Sequence, residues 1–362
     1  MQSQGGGNER AGDPTVAAAE LSRIGTEIFQ AAGSSPEEAR LVADHLVEAN
    51  LVGHGSHGVI RIKKYVDWAQ AGLVLANRHA SIVNDRGAAV LVDGEFGYGQ
   101  VIGREAMDIA AARVREHGFA VVAIRNSGHL GRIGAWAEQL AAAGLVSLHF
   151  VNTSGFGILV APHGGRDRRL SANPIAAGAP VPDGPPLILD IATSSIAEGK
   201  IQVARNRRET IEPGHILDGA GRPTIDPEAF YADIPGAILP FGAHKGSGLS
   251  LFCEIIAGSL TGGFSSHPDN PTAGRLVNNM LSIAFDPAAF AGRDFFAGDL
   301  ARLVGWTQAS PPLQPGGSVL LPGEIELRTR REREAKGIPL DSETRAQIVT
   351  AGSQVGLRVT GV

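Results

Sequence analysis

The sequence predicts a mixed α/β protein in which a helical unit built from both chain ends accompanies a central α/β unit. Three observations carry this reading. Residues 14–75 hold three stretches with helical spacing, residues 325–362 return to that spacing, and short apolar β-like runs alternate with helices between them. The boundaries fall at 14–78, 79–324 and 325–362, after a polar tail over 1–13 that reads as disordered. At 362 residues the chain is too long for one small core. A net charge of −5 argues against nucleic acid as a partner, because non-specific binding needs basic surface. The single cysteine, Cys253, excludes an internal disulfide and a four-thiolate zinc site. No apolar run reaches the roughly 18 residues of a membrane span, and the N-terminus lacks the apolar stretch of a signal peptide. These properties describe a cytoplasmic enzyme with no membrane partner.

The first helix is AAAELSRIGTEIFQAAG. The second, SSPEEARLVADHLVEANL, opens on Ser35 as cap, Pro36 in the first turn and Glu38 completing a capping box. Its apolar stripe is Ala39, Val42, Leu46 and Ala49. The third is VIRIKKYVDWAQAG. Residues 80–93 turn to β patterning around Arg86-Gly87, a hairpin signal. GQVIGREAMDIAAARVREHG reads as a helix stopped by Gly118. FAVVAIRNS, GRIGAWAEQLAAAG and LVSLHFVNTS then read as a β-α-β unit. PPLILDIATSS is a buried strand running into a polar turn, and FGAHKGSGLSLFCEIIAGSLTGG a loop entering a strong helix that buries Cys253. LSIAFDPAAF is a strand. EIELRTRREREAKG and DSETRAQIVTAG are the closing helices, with the mixed-sign run Arg328 to Glu334 a solvated face.

Between the second and third helices lies Gly53-His54-Gly55-Ser56-His57-Gly58, which matches the G-x-G-x-x-G dinucleotide pattern. The context is wrong for it. A helix precedes the glycines instead of a strand, and residues 76–78, about 20 positions on, are Ala-Asn-Arg with no carboxylate. The segment instead offers a loop imidazole, His57, able to exchange a proton near neutral pH. Arg61, one turn further on, can grip a carboxylate. Two histidines spaced H-x-x-H, without a backing H-E-x-x-H or C-x-x-C, do not make a zinc site, and no metal is expected. No G-x-S-x-G nucleophile turn is present. Asp190 ends an apolar strand, a frequent place for a functional carboxylate. Lys245 is one of only five lysines among 32 basic residues and, with His244, precedes a helix N-terminus that suits phosphate.

Taken in order, GSHGVIRIKKYVDWAQAG, NSGHLGRIGAWAEQLAAAGLV, NTSG, SANPIAAGAP, LDIATSSIAEGK, AHKGSGLSLFCEIIAGSLTGG and LPGE resemble the malate/L-lactate dehydrogenase family of non-Rossmann NAD(P)-dependent oxidoreductases. The resemblance covers most of residues 20–340 and implies a largely antiparallel cofactor domain beside the helical one. It implies NAD or NADP as cofactor, a small 2-hydroxy or 2-oxo acid as substrate, and a homodimer. His57 resembles the proton donor and acceptor, with Ser56 and Asp190 as charge-relay partners. Arg61 resembles the substrate-carboxylate ligand, and His129 lines the site, with Leu130 where the family has phenylalanine. Cofactor contacts are implied for Asp190, Ile191, Ala192, Thr193 and Ser194, for His244 and Lys245, and for Pro322, Gly323 and Glu324. Reduction of cyclic imino acids is the neighbouring alternative, and a non-catalytic dinucleotide-binding protein the more distant one.

Overall fold

A computed structural model describes residues 13–272 and 274–362, so most of the tail expected to be disordered lies outside the described residues. The first helix, Ala18–Ala31, and the second, Pro36–Leu51, form where the apolar stripes predict them. Only half of the expected capping box exists. Ser35 accepts the Glu38 amide at 3.2 Å, but the Glu38 carboxylate turns away to the Asn77 amide, while Asn77 Oδ1 takes the Ser35 N–H. A tertiary partner has replaced the local one. Helix Arg61–Gln70 completes the N-terminal trio.

From the other end, helix Glu324–Lys336 leads into helix Ser342–Gln354. Ile338, Leu340, Ile348 and Ala351 are buried in one apolar core with Leu21, Ile28, Phe29, Leu46 and Ile62. The chain ends are also stitched together by a two-residue pairing, Thr15–Val16 against Ile338–Pro339, inside a stretch whose pattern reads as helical.

The central sheet has seven strands, in the spatial order Ser81–Arg86, Ala89–Asp93, Phe119–Ser127, Leu276–Phe285, Val146–Gly155, Ile175–Ala179 and Leu187–Ile191. It is mostly antiparallel; the pair Ala89–Asp93 with Phe119–Ser127 is parallel. Phe119–Ser127, helix Gly134–Ala142 and Val146–Gly155 form the expected β-α-β unit, with Leu276–Phe285 inserted between its two strands, antiparallel to both. A directly paired parallel crossover runs from Ala89–Asp93 through helix Gly99–His117 to Phe119–Ser127. One expectation is corrected: Leu187–Ile191 is not a buried strand but the sheet edge, with Leu189 37% exposed.

Strand side chains alternate between the faces. Ile102, Met107, Trp136 and Leu140, from helices Gly99–His117 and Gly134–Ala142, bury one face with Val122, Ile124 and Val151. On the other face Asn152 bonds Glu254, where helix His244–Cys253 continues as a π-helical turn, Glu254–Ser259. Cys253 is fully buried, as expected. A small lobe holds the three-stranded sheet 237–238, 216–217, 223–224 and its own core around Ile201, Ile216 and Phe230. Helix Arg293–Gln308 has no buried residue.

Candidate active site

The glycine-rich segment is a tight 3₁₀ turn, Gly55–His57, between the second and third helices. Its glycines serve packing. Gly53 has φ +88° and lies against Thr329, while a Cβ on Gly58 would collide with the Asn50 carboxamide. That carboxamide accepts the Val59 amide at 2.7 Å, capping the loop's exit. The turn is also held from outside by helix Glu324–Lys336. Glu326 meets His54 at 3.4 Å, Arg330 pairs with Glu48, and Arg333 donates to the Asn50 carbonyl. The basic run is therefore a clamp on one side and a solvated face on the other, with Arg333 buried.

In this frame His57 stacks on His129, their rings 5.3 Å apart and within 6° of parallel. Arg61 donates from Nε to the Ser56 carbonyl at 2.6 Å, which fixes its guanidinium beside the pair. Both imidazoles are pushed well below the usual histidine range, first by desolvation and next by the Arg61 charge. His129 Nδ1 lies 2.6 Å from the Tyr65 hydroxyl, and Gln100 Nε2 donates to that hydroxyl at 2.9 Å. His57 Nδ1 is buried with no partner. An orienting group belongs there, yet Ser56 Oγ makes no hydrogen bond to it, and Asp190 Oδ2 is engaged elsewhere, accepting the Gly134 amide at 2.8 Å. The chain thus brings His57, Ser56, Arg61 and His129 together and leaves Asp190 outside hydrogen-bond contact with them. What packs on Ser56 instead is Gly199, at the start of helix Glu198–Arg207.

Asp190 belongs to a second group. Pro322 accepts the Ile188 amide at 3.2 Å, and Gly323, with φ +92°, packs on Ile188, so Pro322-Gly323-Glu324 abuts the edge strand. Two adjoining cavities of about 200 Å³ each run along this seam. Either alone falls short of a ligand site of ~300 Å³ or more, but joined they reach that range. Arg132, 1% exposed, pairs with Glu138 beside Asp190 and points Nε and Nη1 at no partner. Beyond Asp190 and Ile191, Ala192 leads to Thr193, whose carbonyl takes the Phe241 amide; Ser194 bridges to Pro240. This sets Asp190–Ser194 against the turn that opens helix His244–Cys253, where His244 and Lys245 are exposed. The preceding Ala243 holds φ +55°, ψ −116°, a costly backbone for a residue with a Cβ.

Arg132, Tyr65, Gln100 and Asn50 went unread in the sequence. Tyr65 had a signal, since it follows Arg61 by four on one helix face. Among the described residues no group of three or more histidine, cysteine, aspartate or glutamate side chains could hold a metal. No helix among them is long and apolar enough to cross a membrane.

The described residues thus form two groups: buried, stacked imidazoles beside a fixed cation, and a cleft along the edge strand into which Arg132 brings unpaired donors. The chain is an oxidoreductase by kinship. The profile of the malate/L-lactate dehydrogenase family matches residues 16–349, and the protein belongs to that family. It is 44% identical over 335 residues to hydroxycarboxylate dehydrogenase B of Escherichia coli (strain K12), covering 91% of each chain. It is 35% identical over 336 residues to a Delta(1)-pyrroline-2-carboxylate/Delta(1)-piperideine-2-carboxylate reductase of Pseudomonas syringae pv. tomato, covering 90% of this chain and 92% of that one. The solved sulfolactate dehydrogenase of Methanocaldococcus jannaschii superposes with a TM-score of 0.85 at 30% identity, over 95% of this chain and 98% of that one.

Proposed function

We propose that the protein transfers hydride between NAD(P) and a small 2-hydroxy or 2-oxo acid. The observation that carries this is the parallel His57–His129 pair fixed beside Arg61. Features of the cleft support a dinucleotide there: its walls are partly apolar, and Arg132 brings two unpaired buried donors to it. Asp190–Ser194, His244 and Lys245, and Pro322–Glu324 would hold the cofactor, which when bound supplies the hydride donor or acceptor.

The chain's own part is proton transfer and positioning. Arg61 grips the substrate carboxylate and so fixes C2. His57, neutral at pH 7, takes the hydroxyl proton of a 2-hydroxy acid. In the opposite direction the substrate carboxylate offsets the Arg61 charge, which makes the protonated His57 easier to form and lets it deliver a proton to the carbonyl oxygen. A charge relay from Asp190 through Ser56 would require closing of the cleft, since the resting contacts do not form it. A homodimer is supported by exposed apolar side chains: Phe252, Leu260 and, on the unburied helix, Trp306, which is 80% exposed.

The test is to mix purified protein with NADH or NADPH, add 2-oxo acids and cyclic imines in turn, and follow the nicotinamide absorbance. Turnover of a 2-oxo acid establishes the reading and the cofactor preference. Turnover of an imine alone replaces it with the chemistry named for the Pseudomonas relative. Saturable cofactor binding without any oxidation would favour a binding protein.

A further inference from the structure

The mechanism above moves the proton with one imidazole and leaves His129, stacked on it, without a task. The bonding around His129 assigns one. Its Nδ1 is 2.6 Å from the Tyr65 hydroxyl, and that hydroxyl is 2.9 Å from Gln100 Nε2. Tyr65 and Gln100 are each 2% exposed, so water does not compete for either bond. A carboxamide nitrogen only donates, and a phenol carries one proton. With its oxygen accepting from Gln100, the phenol's proton has one acceptor left, His129 Nδ1. Tyr65 keeps that proton, because burial pushes its hydroxyl up to about 12. His129 also stays neutral: desolvation, Arg61, His57, His45 and Lys64 all work against a charged ring. A neutral imidazole that accepts at Nδ1 carries its hydrogen on Nε2, and that Nε2 makes no hydrogen bond among the described residues.

We propose that Tyr65 and Gln100 are positioning residues that lock His129 as its Nε2–H tautomer, so that a neutral imidazole donates a hydrogen bond to the substrate oxygen that His57 protonates or deprotonates. The inference rests on the dehydrogenase reading of this site. No proton leaves His129. When the carbonyl oxygen gains charge in reduction, or the hydroxyl oxygen loses its proton in oxidation, the preset N–H stabilises it. The two imidazoles are immediate neighbours, with ring centroids 5.3 Å apart. Labour is thereby divided: His57 moves the proton and His129 holds the oxygen. A charged imidazolium at His129 would instead compete to give up its own proton. Neutral histidine electrophiles answer that same problem in other enzymes.

The test reads the tautomer directly, by ¹⁵N chemical shifts of imidazole-labelled full-length protein, with the His129 signals assigned by their loss in His129→Gln. The expected result is a protonated Nε2 and a pyridine-like, hydrogen-bonded Nδ1 between pH 6 and 8. Tyr65→Phe removes the lock: the two tautomers mix, and kcat falls about 10-fold, roughly the weight of one hydrogen bond, while cofactor Kd holds. If Tyr65→Phe does not fold, Gln100→Leu keeps the phenol but removes its donor, and the same mixing is expected. A wild-type His129 with its proton on Nδ1, or an unchanged Nε2–H signal in the variant that folds, overturns the proposal. The tautomer is read without turnover, so the two readings fail separately. A protein silent on every acid sinks the dehydrogenase assignment, and a misplaced proton sinks the lock.

Discussion

His57 sits where its loop leaves it little choice of environment. The ring is covered by His129, its Nδ1 is buried, and Arg61 lies alongside. A depressed pKa makes it a base at neutral pH, and the dehydrogenase reading uses it so. Replacing His57 with Asn should lower turnover by ~10²–10⁴ without loss of cofactor binding; a variant of near-normal kcat would remove it from the mechanism. Arg61 has two effects that one substitution separates. Arg61→Ala should raise KM for the acid, through loss of the carboxylate contact. It should also move the acid limb of the kcat/KM–pH profile upward, because a positive charge that lowers His57 is gone. Burial, the larger cause, remains, so the limb should stop short of an ordinary histidine value. A limb that stays put would mean that Arg61 and His57 do not sense each other. At this scale the sequence was readable where chemistry clusters locally: Ser56, His57 and Arg61 lie within six positions. It was unreadable where partners come from afar. Gln100 reaches Tyr65 across 35 positions, and Tyr65 reaches His129 across 64. Nothing in the local pattern of those residues marks the contact.

Among the elements, helix Glu324–Lys336 does the most to connect the site. Its first residue follows the turn packed on the edge strand, and its length lies along the 3₁₀ turn that carries His57. One helix therefore touches both the cleft and the turn that carries His57. The joint is Asn50, whose carbonyl takes Arg333 and whose side chain both caps Val59 and fills the space over Gly58. Gly58 has φ −94°, ψ −152°, which alanine tolerates, so a Gly58→Ala variant isolates the collision. It should cost ~1–3 kcal/mol, as overpacking does, and lower kcat by disturbing the loop. Asn50→Ala alone should also destabilise, by uncapping Val59. In the double variant the collision is absent, so the two losses should not add. Strict additivity in thermal or denaturant unfolding would show that Gly58 is not held to glycine by Asn50. Gly58, the last glycine of the pattern that matched a dinucleotide turn, is thus explained by a side chain eight residues earlier. Helix ends, the hairpin and the closing helices were legible from caps, glycines and periodicity. The insertion of Leu276–Phe285 between two strands about 20 residues apart was not, because apolar alternation states that a strand exists and says nothing of its neighbours.

Over the whole molecule, the two main cores place neutral histidines where protonation would be costly. His149 is fully buried in the sheet, with Nδ1 2.8 Å from Ser282 Oγ and Nε2 3.0 Å from Ser147 Oγ. Two hydroxyls suit a neutral ring, one as donor and one as acceptor, and burial pushes the group down to about 3. His45, at the junction of helical and sheet layers, stacks on Trp136, accepts the Arg132 amide at 3.1 Å, and is likewise pushed down to about 3, by burial and then by Arg132. The sign of the linkage follows. Below the unfolded histidine pKa of ~6.5 the unfolded chain binds these protons and the folded one does not, so stability falls as pH falls. Above ~6.5 the contribution is fully present. Between there and about 3 each such imidazole adds a slope of up to ~1.4 kcal/mol per pH unit. Denaturant unfolding from pH 7.5 to 4.5 should therefore show a steep loss that begins near pH 6.5, earlier than carboxylate protonation alone would bring. His149→Asn removes one titrating group while keeping a polar side chain between the two serines. Whatever that substitution costs at pH 7.5, it should flatten the slope below pH 6.5. A parallel curve, displaced but equally steep, would mean that His149 takes up its proton in the folded state as readily as in the unfolded one.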